Sequence, residues 1–104
     1  MNDIKIPKSF TLFGRKMKVK MCNNLVVDND HVGESKFRVE EIRVQVSDKV
    51  YPRTKDQTTQ TYFHELTHII IDEIEYSFNT PDEEEKFVRL FSKLLYQALK
   101  TAVY

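Results

Sequence analysis

The sequence predicts an α+β fold, in which a small, mainly antiparallel sheet from residues 10–50 packs against two antiparallel helices. The helices are expected at about residues 54–75 and 81–101. Two observations support this prediction. Apolar residues alternate with polar ones in the first half of the chain, as in strands with one solvent face, and recur every three to four residues in the second half, as on helices. Strands that precede helices give the segregated order of α+β domains.

Length and composition predict one domain over residues 1–104. Of the 104 residues, 40% are apolar and 31% are charged, which is ordinary for a folded globule and excludes disordered and low-complexity classes. No apolar run is long enough to cross a membrane or to act as a secretion signal. The single cysteine, Cys22, cannot form an internal disulfide. We therefore expect a cytoplasmic protein with no membrane partner.

The first predicted hairpin pairs Phe10–Leu12 with Met17–Met21 across a turn that contains Gly14. Apolar side chains alternate with lysines along its second strand, as expected for one buried and one solvent face. Residues 1–20 carry six basic side chains and one acid, a charge that would attract an anionic partner such as a nucleic acid. No nucleic-acid-binding motif accompanies this charge, so we favour solvated lysines that protect an edge strand and keep nucleic acid as a less favoured partner.

The second predicted hairpin pairs Ser35–Val39 with Glu41–Val46, after a polar loop that contains His31. The apolar residues of Glu41–Val46 occupy alternate positions and are expected to face the core. Arg43 and Gln45 lie between them and are expected to face solvent.

Capping residues define the two predicted helices. Thr54 and Gln57 have the spacing of a capping box at the start of the first helix, which is expected to end near Glu75. Thr80 is the expected N-cap of the second helix, with Pro81 in its first turn. The second helix carries a wide apolar stripe that we expect to face the core: Phe87, Val88, Phe91, Leu94, Leu95, Ala98 and Leu99.

The first predicted helix contains the sequence His64-Glu65-Leu66-Thr67-His68. Side chains four residues apart lie on one helix face, about 5–6 Å apart at Cβ, so His64 and His68 can share one zinc ion. Glu65 is offset by about 100° around the helix, where it can take a proton from a zinc-bound water. Two of the three histidines fall into this spacing inside a capped helix. This favours a metal site over two ordinary half-buried histidines.

A catalytic zinc ion takes a third protein ligand. The first helix rises about 10 Å from His68 to Glu75, and the second helix is expected to return antiparallel to it. Glu84 or Glu85 then comes back to the level of the histidines, and the spacing leaves both open. Asp72, one turn beyond His68, is a candidate to accept a hydrogen bond from a ligand imidazole.

These residues resemble a known class of zinc enzymes. His64-Glu-Leu-Thr-His68, followed by Asp72, resembles the active-site helix of the thermolysin-like gluzincins, and residues 85–92 resemble their second helix, in which the ligand Glu precedes apolar residues. This resemblance implies that Glu85 is the third ligand. At the scale of the chain, residues from Gly33 to Leu95 resemble the small ImmA/IrrE-type metallopeptidases and their short phage- or prophage-encoded relatives. This implies a minimal zincin-like metallopeptidase domain with Zn²⁺ as its cofactor.

Two functions follow as hypotheses. The first is a zinc-dependent peptidase that hydrolyses a peptide or protein substrate, with Glu65 as general base. The peptide is expected to add to an exposed edge of the strand Glu41–Val46, and Tyr62, Tyr76 or His31 could stabilise an oxyanion. The second is a catalytically inactive, metal-stabilised module that binds a protein or DNA. Glu65 favours the enzyme, because a structural zinc site has four protein ligands and no use for an adjacent base.

Overall fold

The structure, a computed structural model, describes residues 4–26, 32–47 and 52–104. Its described residues form a four-stranded sheet in the N-terminal half followed by two helices, which confirms the predicted α+β class. A 3₁₀ turn at Phe37–Val39 separates the third and fourth strands. The elements are β1 (Ser9–Leu12), β2 (Arg15–Cys22), β3 (Gly33–Lys36), β4 (Glu41–Gln45), α1 (Lys55–Glu73) and α2 (Pro81–Thr101).

The sheet has the strand order β1-β2-β4-β3. The two predicted hairpins are both present as antiparallel pairs, β1 with β2 and β3 with β4. They are joined by a parallel pairing between β2 and β4, in which Val19 lies opposite Ile42 and Met21 opposite Val44. Because β4 is paired on both sides, the prediction that Glu41–Val46 offers an exposed edge is wrong. The edge strand of this hairpin is β3.

Local turn geometry explains where the strands end. Phe13 and Gly14 both have positive φ angles, 47° and 80°, as a two-residue hairpin turn requires. The predicted strand Ser35–Val39 is half right, because its second part is the 3₁₀ turn. Arg15 stabilises that turn: its Nη2 donates to the Phe37 carbonyl at 3.1 Å, and its guanidinium lies 4.3 Å from the centre of the Phe37 ring. The same guanidinium donates through Nη1 to Glu73 at 3.1 Å, which ties the sheet to the end of α1.

The core lies between the sheet and α1. Met17, Ile42 and Val44 of the sheet are fully buried against Phe63 and Ile69 of α1. The expectation that Gln45 faces solvent is wrong, since its side chain is 1% exposed. Its Oε1 accepts the Val26 N–H at 3.1 Å and its Nε2 donates to the Val46 carbonyl at 3.0 Å. Both ends of the amide are therefore satisfied inside the protein.

The second helix forms an outer layer. Helix α1 packs against β3 and β4 on one side and against α2 on the other. Within the described residues, α2 buries only Val88, Ser92 and Tyr96. The expectation that its whole apolar stripe faces the core is therefore wrong, because α1 covers only one line of the helix. The large exposed side chains of the stripe are 38–63% accessible to solvent: Phe87, Phe91, Leu94 and Leu99.

No helix in these three ranges has the length and hydropathy needed to cross a membrane.

A buried carboxylate lies between two partly exposed cations at the start of β4. The Glu41 side chain is 8% exposed, and its carboxylate accepts hydrogen bonds from Lys20 Nζ at 3.0 Å and from Arg43 Nε. Burial raises the pKa of Glu41, but the hydrogen bonds and charges of Arg43 and Lys20 outweigh this and hold the pKa below its ordinary value of 4.5. Ionised Glu41 therefore stabilises the folded state above pH 4.5, and this contribution is lost as the pH falls through the lowered pKa.

We expect Glu41→Gln to lower the free energy of unfolding at pH 7 by about 1–3 kcal/mol, because it leaves two cations without their buried partner. The difference from the wild type should shrink at pH 3, because this pH lies below the ordinary pKa of 4.5, where the unfolded carboxyl takes up a proton and the advantage of ionised Glu41 is progressively lost. Urea unfolding at the two pH values measures this, with exposed Glu75→Gln as the control. An equal difference at both pH values would contradict the assignment of the stabilisation to the ionised carboxylate.

Candidate metal centre

Helix α1 presents two histidines to α2. Both hydrogen bonds of the predicted capping box are present: Thr54 Oγ1 accepts the Gln57 N–H at 3.0 Å, and Gln57 Oε1 accepts the Thr54 N–H at 2.9 Å. The helix runs without a break to Glu73. His64 and His68 therefore lie one turn apart on the same face, with ring centres 5.1 Å apart.

The N-terminal end of α2 brings a carboxylate to both imidazoles. Thr80 accepts the Glu83 N–H at 3.1 Å and so fixes the start of the helix. Glu85 Oε1 lies 2.8 Å from His64 Nε2, and Glu85 Oε2 lies 3.0 Å from His68 Nε2. One ligand atom from each of these three side chains lies within 4.8 Å of the other two.

These donors are of the types that bind zinc. Two imidazole nitrogens and one carboxylate oxygen are ligands that zinc accepts at about 2.0–2.2 Å, with a fourth position left for water or substrate. Tetrahedral ligands at those distances stand about 3.3–3.6 Å apart, so the ligand atoms, which lie within 4.8 Å of one another, must approach by up to about 1.5 Å to share one ion. Zinc binding by His64, His68 and Glu85 stays a prediction, but the geometry places Glu85 where the resemblance required it.

Glu84 has a different position. Its Oε2 lies 3.0 Å from Nδ1 of His68, on the side of the ring that faces away from Glu85. A proton held on Nδ1 by this carboxylate leaves the Nε2 lone pair available to a metal ion. Asp72 was the candidate for this role in the sequence, and its side chain is exposed on the next turn of α1. Burial raises the pKa of Asp72 and the charge of Glu84 adds to this, while His68 acts in the opposite direction.

Glu65 lies beside the cluster but outside it. Its side chain is half-buried beneath β3, where it makes a hydrogen bond with Ser35. Burial raises the pKa of Glu65, and the two histidines and Ser35 offset part of this rise. A carboxylate with a raised pKa, next to the predicted metal, has the properties of a general base.

Gly33 allows β3 to approach α1 this closely. A Cβ atom at Gly33 would lie 2.5 Å from Cγ2 of Thr61 and 3.0 Å from Cγ of Glu65. Any other residue would therefore push against the helix at the residue proposed as the base. The sequence does not reveal this contact, because the contact depends on how the sheet packs on α1.

The cluster opens onto a cleft of about 670 Å³. Gly33 forms one wall, and His64 and Glu65 lie along the floor contributed by α1. The opposite wall comes from Arg89 and Lys93 of α2.

The three candidates for an oxyanion stabiliser have separate positions. Tyr62 is 5% exposed and packs edge-on against Phe10 and Phe63 in the core, where burial raises its pKa to about 12. Tyr76 is exposed beyond the end of α1 and contacts Phe78. His31 lies outside the described residues.

No family model, no curated protein and no solved structure matches this chain. The function of the site is therefore argued from the geometry above, and the resemblance to the small gluzincins stays a prediction.

We expect Glu85→Gln to weaken zinc binding more than Glu84→Gln. The Glu85 substitution removes the charge of a proposed ligand, whereas the Glu84 substitution removes only the hydrogen-bond partner of the His68 imidazole. Glu84→Gln should reduce zinc affinity by about 10- to 100-fold, the usual cost of losing an outer-shell partner. Competition with a chelating dye measures both affinities. Glu83→Gln is the matched control, because it removes a charge from the same helix turn without facing either histidine. A larger loss in Glu84→Gln than in Glu85→Gln would contradict the ligand assignment.

We expect Gly33→Ala to lower the free energy of unfolding by about 1–3 kcal/mol, the usual cost of overpacking a close contact. Thr61→Ser removes the Cγ2 atom that the new methyl group would meet and keeps the hydroxyl. The double variant should therefore recover much of the loss, which a double-mutant cycle of unfolding free energies would measure. Strictly additive effects of the two substitutions would show that the close contact is not the cause.

Proposed function

We propose that this protein is a zinc-dependent peptidase, in which His64, His68 and Glu85 hold the metal and Glu65 is the general base. The observation that carries the proposal is the convergence of the three ligand atoms within 4.8 Å of one another. Glu65 supports a catalytic rather than a structural site, because it lies next to this group without belonging to it.

Each side chain has a defined role in hydrolysis. When bound, zinc would polarise the scissile carbonyl and lower the pKa of a water molecule. Glu65 takes a proton from the attacking water on its carboxylate and later delivers it to the amine of the departing peptide. Ser35 and the close backbone at Gly33 hold that carboxylate in place. Glu84 keeps the proton of His68 on Nδ1.

The substrate peptide can pair with β3. Among the described residues β3 has one strand neighbour, β4, so its other edge is open to an added strand. Ser35 and Gly33 belong to β3 and both lie against Glu65. A peptide bound along this edge by main-chain hydrogen bonds would therefore pass the base and the ligand cluster.

The proposal includes the small gluzincin group as the family of this protein and the cytoplasm as its location. The family assignment is supported by the position of Glu85, because the candidate third ligand is a glutamate on a second helix and not a further histidine. The free thiol of Cys22 supports the cytoplasmic location.

One observation favours the alternative, a catalytically inactive module that binds another protein. Helix α2 exposes several large apolar side chains, among them Phe91 and Leu94, and such surfaces often mark binding sites. A module of this kind would need no base at position 65.

We expect Glu65→Gln to retain stoichiometric zinc and to slow peptide hydrolysis by about 10²- to 10⁴-fold, because the amide cannot accept the proton. The measurement combines zinc content with the rate of cleavage of a mixed peptide library by the same preparation. Glu83→Gln serves again as the control and should cleave at the wild-type rate. A zinc-loaded Glu65→Gln protein as fast as the wild type would refute the role of the base, and zinc-loaded wild type without cleavage would favour the binding module.

A further inference from the structure

The cleft beside the candidate metal centre has a basic wall. Among the described residues that line it, the cations are Arg53, Arg89 and Lys93, and the one carboxylate is that of Glu65. Because Glu65 lies at the end next to the histidines, the rest of the cleft is lined by cationic and neutral side chains.

Arg53 helps to build this cleft. Its Nη1 donates to the Gln45 carbonyl at 2.9 Å, and its Nη2 donates to the Gln57 carbonyl at 3.1 Å and to Thr61 Oγ1 at 2.6 Å. These bonds hold the start of α1 against β4. We therefore assign Arg53 to the support of the cleft rather than to binding.

Arg89 and Lys93 do not support the cleft in this way. Both are exposed, and neither forms an ion pair with any residue that the structure describes. They follow Glu85 at intervals of four residues, so the three side chains share one face of α2. Along the helix axis Arg89 lies about 6 Å and Lys93 about 12 Å from the level of Glu85.

We propose that Arg89 and Lys93 bind a carboxylate of the substrate peptide, so that the peptidase prefers peptides with an acidic group near the scissile bond. This inference rests on the proposed function. An extended peptide advances about 3.3 Å per residue, so the carboxylate lies about two to four residues from the cleaved bond. It can belong to an internal Asp or Glu or to the C-terminus of the peptide, which present the same chemistry.

The test uses a mixed peptide library with amidated C-termini, cleaved by the zinc-loaded protein, with the products identified by mass spectrometry. We expect Asp and Glu to be enriched over Asn and Gln at one position two to four residues from the cleavage point. A second library with free C-termini separates the two sources: cleavage confined to a fixed distance from the free terminus would identify the terminal carboxylate.

Variants assign the preference to the two cations. Arg89→Gln/Lys93→Gln should lower the ratio of the rate on acidic peptides to the rate on matched neutral peptides by about tenfold, as the loss of two exposed charge contacts implies. Lys16→Gln/Lys18→Gln, which removes two exposed charges from β2, is the control and should keep the preference. High salt should reduce the preference of the wild type, because it screens exposed charges.

The outcomes separate this inference from the proposed function. Cleavage that shows no preference for a carboxylate in either library, or a preference that survives in Arg89→Gln/Lys93→Gln, would overturn the inference and leave the peptidase in place. Zinc-loaded protein that cleaves neither library would overturn the peptidase, and the inference with it.

Discussion

The register between α1 and α2 is the constraint on which the candidate site depends. At one end of the pair Tyr96 is buried, and its hydroxyl donates to Asp56 at 2.6 Å, next to the ion pair that Lys100 makes with the same carboxylate. From there to Glu85 is eleven residues of α2, about 16 Å, and from Asp56 to the two histidines is eight to twelve residues of α1, about 12–18 Å. The two distances match, so the contacts of Tyr96 and Lys100 with Asp56 at one end of the helix pair bring Glu85 level with the histidines at the other end.

The second constraint is electrostatic. Four carboxylates surround the two imidazoles: Glu65, Asp72, Glu84 and Glu85. Their mutual repulsion contributes to two raised pKa values. Burial is the largest cause of the raised pKa of Glu65, and the charge of Glu85 adds to it. Burial is also the largest cause for Asp72, and the charge of Glu84 adds to it. A divalent cation between the imidazoles would relieve this repulsion, so the proposed metal and the crowding of acids on this face are mutually consistent.

The sequence predicted the features that depend on neighbours along the chain. Helix capping at Thr54, the turn at Gly14 and the shared face of His64 and His68 are set within a few residues, and each is present. Features that depend on distant segments were missed. The parallel pairing of β2 with β4 makes β3 the edge strand, and no local pattern encodes that choice. Burial of Gln45 and exposure of Leu94 have the same origin, because each depends on which layer covers the residue.

The candidate ligands come from two helices that are held to the domain with different strength. Two of the proposed ligands belong to α1, which is held by the core, and the third belongs to α2, which is attached along a single line of buried side chains. A helix attached in this way can separate from the domain in a partial opening that leaves the sheet and α1 intact. Each such opening would carry Glu85 away from the histidines. A bound ion would stabilise the attachment of α2 to α1. The rate at which the ion exchanges with solvent would then depend on the detachment of α2 and not on unfolding of the whole chain.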